Sequence, residues 1–305
     1  DIAASIQAVT EIIVIKIAKN LRTTTGLDNL CLAGGVALNC VANGKILDES
    51  GFKNIWIQPS AGDAGNALGA ALAYKYLSNK DQRKIVPNDS MKSSYLGPDF
   101  SVKDIQKFLD NYNIPFTFLV DEDIAKKTAE YLAGGKIVGW FQGRMEYGPR
   151  ALGNRSILGD PRIEDMQKNM NLKIKNRESF RPFAPVILDG FQSEYFNIDI
   201  ESPYMLLTRK LANKFLKSVP SKSSIKKGIE RVNEIRSDVP AITHIDNSCR
   251  VQTVSKDRNP IFFNLLNEFY KTTKCPILIN TSFNVRGEPI VCTPQDAFIC
   301  FINTN

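Results

Sequence analysis

The stretch 55–76, IWIQPSAGDAGNALGAALAYKY, reads as a strand over 55–57, a break at Pro59, a glycine turn at Gly62 and a helix over 64–76. The helix is rich in Ala and Gly, side chains small enough to let it lie close on a sheet. Upstream the same order appears in outline. Residues 1–25 set Ile2, Ile6, Val9, Ile13 and Ile17 at helical spacing with Gly26 as a stop, and a short strand through Leu30 and Leu32 runs into Gly34-Gly35. Strand, glycine turn and helix in succession are the local grammar of a nucleotide-binding α/β domain, so the fold class expected is α/β.

Residues 79–98 turn polar and irregular, with Pro87, Asp89, Ser90 and Pro98, which predicts a linker between two domains. Beyond it come a helix opening with Ser101 and Asp104 in capping-box spacing, a strand over 116–120, a helix over 121–132 and a strand over 136–142. Further strands are expected at 184–188, 204–208, 241–244 and 276–280, with a helix near 261–270 between the last two. The Lys- and Ser-rich run 214–237 reads as a solvated insertion. Thr293, Pro294 and Asp296 open a last helix as N-cap, first helical residue and capping-box acid, still running at Asn305. Because Asp1 already falls in a helix, the chain reads as a piece whose true ends lie beyond both termini. The domain limits expected are 1–80, a linker over 81–98, and 99–305.

A length of 305 residues suits two domains, with 43% hydrophobic and 23% charged residues ordinary for a globular protein. No run approaches the ~20 apolar residues of a membrane helix, and no secretory leader is evident, so a cytoplasmic enzyme is expected. The formal charge is +7, from 39 Lys and Arg against 32 Asp and Glu. The arginines cluster among glycines and prolines rather than along a helix face, which favours phosphorylated small molecules over nucleic acid. Six cysteines form no CxxC pair and mostly sit among apolar residues, so they read as buried thiols. With His244 the one histidine, a multi-histidine metal site is excluded for this chain alone.

The chemistry concentrates in four places. Arg144, Arg150, Arg155 and Arg162 crowd a stretch broken by Gly143, Gly148, Pro149, Gly153 and Gly159, and Lys173, Lys175, Arg177 and Arg181 follow. Guanidinium forks bind phosphate or carboxylate bidentately, and glycines let backbone N–H groups approach. Such a crowd of cations points to a polyphosphate or acyl-phosphate partner; the plainer alternative pairs them with Glu146, Asp160 and Glu178. No GxxxxGK[ST] is present, so ATP would be held without a P-loop. The string from Asn280 to Glu288, NTSFNVRGE, follows an apolar strand and admits both a ligand-orienting strand end and a self-capping Asx turn. His244, Asp246, Arg250 and Gln252 sit on or beside another strand, with Arg250 read as a ligand-binding residue and His244 as structural. In the first domain Gly34-Gly35 can accept a phosphate or adenosine, and Asp63 is either an N-cap or a metal ligand.

Taken together, LAGGVALN at 32–39, GRMEYGPRALGNRSIL at 143–158, RESFRPFAP at 177–185, HIDNSCRVQTV at 244–254 and NTSFNVRGEPIVCTPQDA at 280–297 resemble the O-carbamoyltransferases of antibiotic and nodulation-factor biosynthesis. The resemblance runs nearly end to end. It implies a partial actin-like (ASKHA) domain followed by a YrdC-like α/β domain with a mixed sheet. It also implies two steps: carbamoyl phosphate and ATP, with Mg2+, give carbamoyl-adenylate in the YrdC-like domain, and the actin-like domain passes the carbamoyl group to a substrate hydroxyl. By the same resemblance Arg250, Ser282 and Lys173 would be catalytic, with Arg144, Arg150, Arg155, Arg177, Asn284 and Arg286 on carbamoyl phosphate and ATP. Gly34, Gly35 and Asn39 would touch the nucleotide of the intermediate. Asp63 matches an iron-ligand position, but the histidines that complete such a site belong to a first half of the actin-like domain that this chain lacks, so that half is an expected partner and the transfer step is expected to be absent.

Rival readings are a threonylcarbamoyl-adenylate or tRNA-modifying enzyme, which would need a basic RNA-tracking surface, and a non-catalytic nucleotide-binding module. A hydrogenase-maturation protein would carry cysteine-pair zinc modules absent here. Neither a membrane nor a nucleic acid is an expected partner.

Overall fold

The computed structural model describes residues 1–85, 89–218, 231 and 234–304. Of the predicted solvated run 214–237, residues 219–230 and 232–233 lie outside the described residues, as do 86–88 of the predicted linker. The chain divides into two compact units. The first comprises Asp1–Ser90, Tyr147–Pro149 and Leu206–Thr208; the second comprises Met91–Glu146, Arg150–Met205 and Arg209–Asn305. Among the described residues no helix is long and apolar enough to cross a membrane.

In the first unit, α1 (Ile2–Thr25) ends where Gly26 turns left-handed at φ 68° and returns its N–H to Arg22. Then follow β1 (Asn29–Leu32), α2 (Cys40–Glu49), β2 (Asn54–Ile57) and α3 (Asn66–Ala73). The two strands run parallel with Leu30 opposite Ile55. A small core joins Ala18 of α1 to Leu30, Ile46 and Phe52, with Val14, Ile15, Leu32 and Ile55 packed around it. The apolar stripe that predicted α1 is not the side that packs. Ile2, Ile6, Val9, Ile13 and Ile17 are all exposed, Ile2 at 87%. Apolar residues thus lie on more than one face of this helix, as in helices enclosed on all sides.

The larger sheet, which the second unit holds apart from Leu207 and Thr208, has six strands: β3 (Val138–Phe141), β4 (Arg155–Gly159), β5 (Ala184–Leu188), β6 (Leu207–Lys210), β7 (Ser248–Val254) and β8 (Ile277–Ser282). Their order is β3-β4-β8-β5-β7-β6. The pairs β3–β4, β4–β8 and β8–β5 are antiparallel, while β5–β7 is parallel, so the sheet is mixed and the protein α/β. The helices are α4 (Val102–Asn111), α5 (Asp121–Ala133), α6 (Met166–Asn169), α7 (Gln192–Phe196), α8 (Pro260–Thr273) and α9 (Pro294–Ile302). α8 lies on β5, β8 and α5 and carries the fully buried Phe262, Leu265 and Phe269. Both capping boxes form, Ser101 with Asp104 and Thr293 with Asp296.

Several expected elements differ. β4 was hidden in the arginine–glycine string, because all five of its residues are buried and no alternation shows. The 116–120 segment forms no strand. The 241–244 strand is instead a 3-10 turn, Pro240–Ile242, opened by proline, and pairing starts only at Ser248. The 204–208 strand begins late, at Leu207, after Met205 takes φ 55°. The long helix over 64–76 breaks into a 3-10 turn, α3 and a π turn. The last helix ends at Ile302 rather than running on to Asn305. Met91–Glu146 belongs to the second unit, and in it Met145 N–H donates to Pro98 O at 2.9 Å, so the stretch expected to link is partly fastened.

Gly153 gives a test of how closely the sheet end is packed. Its φ is 112°, and a Cβ there would stand 2.2 Å from Cδ1 of the buried Phe262. Gly153→Ala is expected to cost about 2–4 kcal/mol, read as a lower urea midpoint at unchanged slope. Gly190→Ala, at φ 94° with nothing within 4 Å, should cost about 1 kcal/mol.

Candidate active site

Strand direction gathers the predicted residues of the second unit. β3 and β8 run toward one end of the sheet, and β4, β5 and β7 start from it, as the pairs Phe141–Arg155, Ser156–Ser282 and Ala184–Asn280 require. The loop bearing Arg144 and Arg150 joins the end of β3 to the start of β4. Lys175 and Arg177 precede β5, Asn284 and Arg286 follow β8, and Arg250 lies early in β7. Residues more than a hundred positions apart therefore share one rim. They also share a face. Val186 is opposite both Leu278 and Gln252, so alternation places Asn280, Ser282, Arg250 and Gln252 on the same side of the sheet.

The most constrained group on this rim is Lys175, a residue that the sequence placed in the cationic crowd but not in a role. It is 4% exposed. Its Nζ donates to Ser282 O at 2.5 Å and Oγ at 3.2 Å, and to Asn284 O at 2.9 Å and Oδ1 at 2.7 Å. Ser282 Oγ in turn donates to Asn284 Oδ1 at 2.8 Å, and Asn284 Nδ2 to Glu288 O at 2.8 Å. The Asx-turn reading and the ligand reading of NTSFN thus coexist: the turn closes on itself and holds the serine hydroxyl at the strand end. Among the described residues no carboxylate is a partner of Lys175. Burial, and then the neighbouring Arg177, push its ammonium down to about 7, while Cys300 pulls weakly the other way.

Lys173 is exposed, whereas the lysine two residues later is enclosed. No sequence signal separates them, since Met170 and Ile174 are both buried and each lysine flanks that stripe. Arg177 is half-buried, its Nε on Asn171 Oδ1 at 2.6 Å and its guanidinium 5.0 Å from the Phe183 ring centre. Arg144 is exposed and donates to Gly97 O at 3.1 Å. Arg286 is exposed. Arg150 is partly buried, with its Nε enclosed and without a hydrogen-bond partner.

Arg155 stands apart from the other arginines. It is fully buried, and its guanidinium donates to Gln142, Gly143, Asn154, Cys292 and Pro98 carbonyls over Phe141, 3.6 Å from the ring centre. That arrangement makes it a scaffold residue, since each of its three guanidinium nitrogens already donates to backbone. Arg162 and Arg181 follow the plainer alternative and pair with Asp160 and Glu178. Glu146 does neither: its Oε1 accepts the N–H groups of Leu152, Asn154 and Arg155. His244 is half-buried, its Nδ1 3.3 Å from Ser248 Oγ, and burial lowers its pKa. Gln252 and Asn280 belong to the clusters the sequence marks, though without a role of their own there; each is 1% exposed, and Asn280 Nδ2 donates to Gln252 Oε1 at 2.7 Å, bridging the strands that carry Ser282 and Arg250.

The remaining predicted residues belong to the first unit. Gly34, at φ 94°, donates its N–H to Ala61 O, and Gly35 opens a 3-10 turn. Asn39 caps α2 through Ala42 N–H at 3.1 Å and exchanges hydrogen bonds with Gln7, so its side chain is committed within the protein. Asp63 is exposed inside a 3-10 turn whose N-cap is Gly62, so it is not a cap. Among the described residues no group of three or more His, Cys, Asp or Glu is arranged to hold a metal. One exposed carboxylate does not fit an iron site, and no step is drawn through iron.

A lysine with a folded-state pKa near 7 binds fewer protons than the unfolded chain, whose lysine titrates near 10.5. Its burial therefore costs stability fully below about 7, and that cost fades as pH rises toward 10.5. Against Lys175→Met, the parent protein is expected to gain stability from pH 7 to 10 in urea unfolding, and one lysine side-chain NMR resonance, lost in Lys175→Arg, should titrate near 7.

Comparisons with known proteins bear on this geometry. The family model "Carbamoyltransferase C-terminus" matches residues 129–305, and "Carbamoyltransferase N-terminus" matches residues 1–72. The chain is 54% identical over its whole length to an uncharacterized protein, sll1178, of Synechocystis sp., covering 50% of that protein. It is 41% identical to Nodulation protein NolO of Bradyrhizobium diazoefficiens, covering 100% of this chain and 52% of that one. It spans about half the length of these relatives. Among solved structures, full-length HypF in the phosphate- and nucleotide-bound form overlays with a TM-score of 0.37 at 16% identity, over 82% of this chain and 34% of that one, too slight a likeness to carry an argument. With the C-terminal model alone matching more than half of its residues, the chain belongs to the carbamoyltransferase family.

Proposed function

We propose that the second unit activates a carbamoyl group for an O-carbamoyltransferase, turning carbamoyl phosphate and ATP into carbamoyl-adenylate. The observation that carries this is the sheet-end rim, where Arg250, Ser282, Arg177 and the buried, carboxylate-free Lys175 share one face or one end. A buried ammonium held by carbonyl, hydroxyl and amide oxygens is a ready site for phosphate oxygens, and a polyanion there favours the charge that burial disfavours. Arg144, Arg150 and Arg286 stand around the same end and would bind the outer phosphates. Arg155 keeps their backbone in place.

Atoms balance in two steps. Water cleaves carbamoyl phosphate to carbamate and phosphate; a carbamate oxygen then attacks the α-phosphorus of ATP, and pyrophosphate leaves. Fixed guanidinium and ammonium groups stabilise charge as it shifts between phosphates, and Mg2+ enters with ATP. Ser282, oriented by Asn284 and Lys175, would hold the carbamoyl oxygen or the leaving phosphate. Transfer to an acceptor hydroxyl needs chain beyond the two units, with Gly34 and Gly35 as candidate contacts to the nucleotide of the intermediate. The same additional chain would supply partners for Asp63 and cover the bare apolar side of α1.

The test is to give the purified chain ATP, Mg2+ and carbamoyl phosphate, and to follow pyrophosphate and the AMP-containing product by mass spectrometry. Carbamoyl-adenylate is expected only with carbamoyl phosphate present, and Arg250→Ala should lower the rate at least about a hundredfold. A product that requires threonine and bicarbonate instead would identify a threonylcarbamoyl-adenylate synthase. Binding of both ligands with no pyrophosphate would mark a nucleotide-binding module.

A further inference from the structure

Glu146 is a buried carboxylate that the proposed chemistry does not use. It is 5% exposed, and burial raises its pKa. It has no salt bridge among the described residues. A single oxygen, Oε1, instead receives three backbone N–H groups, from Leu152 at 2.6 Å, Asn154 at 2.8 Å and Arg155 at 3.3 Å. The carbonyls of the same segment are fastened as well. Leu152 O accepts from Gln252 Nε2 at 2.8 Å and from Tyr95 Oη at 2.9 Å, and Ala151 O from Asn280 Nδ2 at 3.3 Å. Arg155, at the far side of the segment, is tied to carbonyls by its own guanidinium. Both edges of the peptide chain from Ala151 to Arg155 are therefore fixed by side chains, and the residue just before that span is Arg150.

Arg150 has its Nε enclosed and without a hydrogen-bond partner among the described residues. A guanidinium held in this state has lost water on that side without gaining a protein acceptor, which an anionic oxygen would supply. Its direction is set by the backbone that follows it, and that backbone is set by Glu146. Burying a carboxylate is costly, the more so because Oε2 is enclosed without a hydrogen-bond partner among the described residues, so the arrangement serves a specific geometry more than the stability of the loop.

We propose that Glu146 is a positioning residue that aims Arg150 at the phosphate groups of the substrates, acting through the 151–155 backbone and touching no ligand. The proposal rests on the phosphate-handling function above for the identity of the ligand, and on the hydrogen bonds for the clamp itself. Gln252 and Asn280 complete the clamp from the sheet side.

The test is a double-mutant cycle read as affinity for pyrophosphate and for ATP–Mg2+ by calorimetry, with urea unfolding run on each variant. Glu146→Asp is used because Ala in a buried site can prevent folding; the shorter side chain keeps the charge and withdraws the acceptor. Arg150→Ala and Glu146→Asp are each expected to weaken pyrophosphate about tenfold or more, and the double variant no further than Arg150→Ala alone. Glu146→Gln, whose amide oxygen can accept the same N–H groups, should stay within about twofold of the parent. Amide exchange at Leu152 and Asn154 should quicken in Glu146→Asp and not in Glu146→Gln. Additive losses in the double variant, an unchanged affinity in Arg150→Ala or Glu146→Asp, or no pyrophosphate binding by the parent would each overturn the proposal. Coupling without formation of carbamoyl-adenylate would leave the clamp standing and remove the function proposed above.

Discussion

The sheet end is organised by a fully buried guanidinium. Arg155 carries its charge into the interior, where no salt bridge meets it among the described residues, and it is kept there by carbonyls drawn from the end of β3, the segment before β4, the Pro98 turn and the approach to α9. Two of those carbonyls, of Asn154 and Pro98, also accept backbone N–H groups, so one side chain adds to existing backbone bonds and draws several stretches of chain together. An ammonium could not do this, having three donors and no plane to lie over Phe141. Glu146 is the complement, collecting N–H groups where Arg155 collects carbonyls. No salt bridge joins the two among the described residues; Arg155 donates to backbone carbonyls and Glu146 Oε1 accepts backbone N–H groups, which holds the course of the glycine-rich chain between them.

Around that pair the rim carries cations in graded burial. Arg144 and Arg286 are exposed, Arg150 and Arg177 intermediate, and Lys175 almost wholly enclosed. Solvated charges gain little from an incoming anion because water already screens them, whereas enclosed ones gain a great deal. Affinity for a phosphate would thus be concentrated at Lys175 and Arg150, with the exposed arginines steering approach. Ser282 sits beside Lys175, at the point where the charge is least solvated.

Much of the fold was legible where one signal decided an element. Ser101 with Asp104 and Thr293 with Asp296 are local codes, and both boxes formed. Gly26 stopped α1 as expected. What failed were strands whose identity depends on long-range pairing. β4 is enclosed by β3 and β8 and has no polar side to alternate with, while 241–244 has the apolar character of a strand but begins at a proline and turns. For the candidate site, residue type was legible and individual role was not. The arginine–glycine string marked the rim, but nothing local tells that Arg155 faces inward, that Lys175 rather than Lys173 is enclosed, or that Glu146 binds backbone instead of a neighbouring arginine. Those outcomes follow from strand direction and register, which bring residues 155, 175, 250 and 282 to one end of the sheet.

The two units stand differently toward the chemistry. In the second, the sheet is flanked by its own helices, and every strand of the rim is paired within the same unit or along its edge. In the first, two four-residue parallel strands and their helices enclose a core of a few residues, while Ile2, Ile6, Val9 and Ile13 face outward. A parallel pair is ordinarily a buried element, and a helix apolar on more than one side is ordinarily enclosed. Unit one thus exposes apolar surface of a kind that such elements ordinarily bury. If activation belongs to the second unit and transfer to a surface completed around the first, the intermediate must pass between groups held by different folds. A mixed anhydride of carbamate and AMP hydrolyses readily, so such a division makes sense only where additional chain shields it from water.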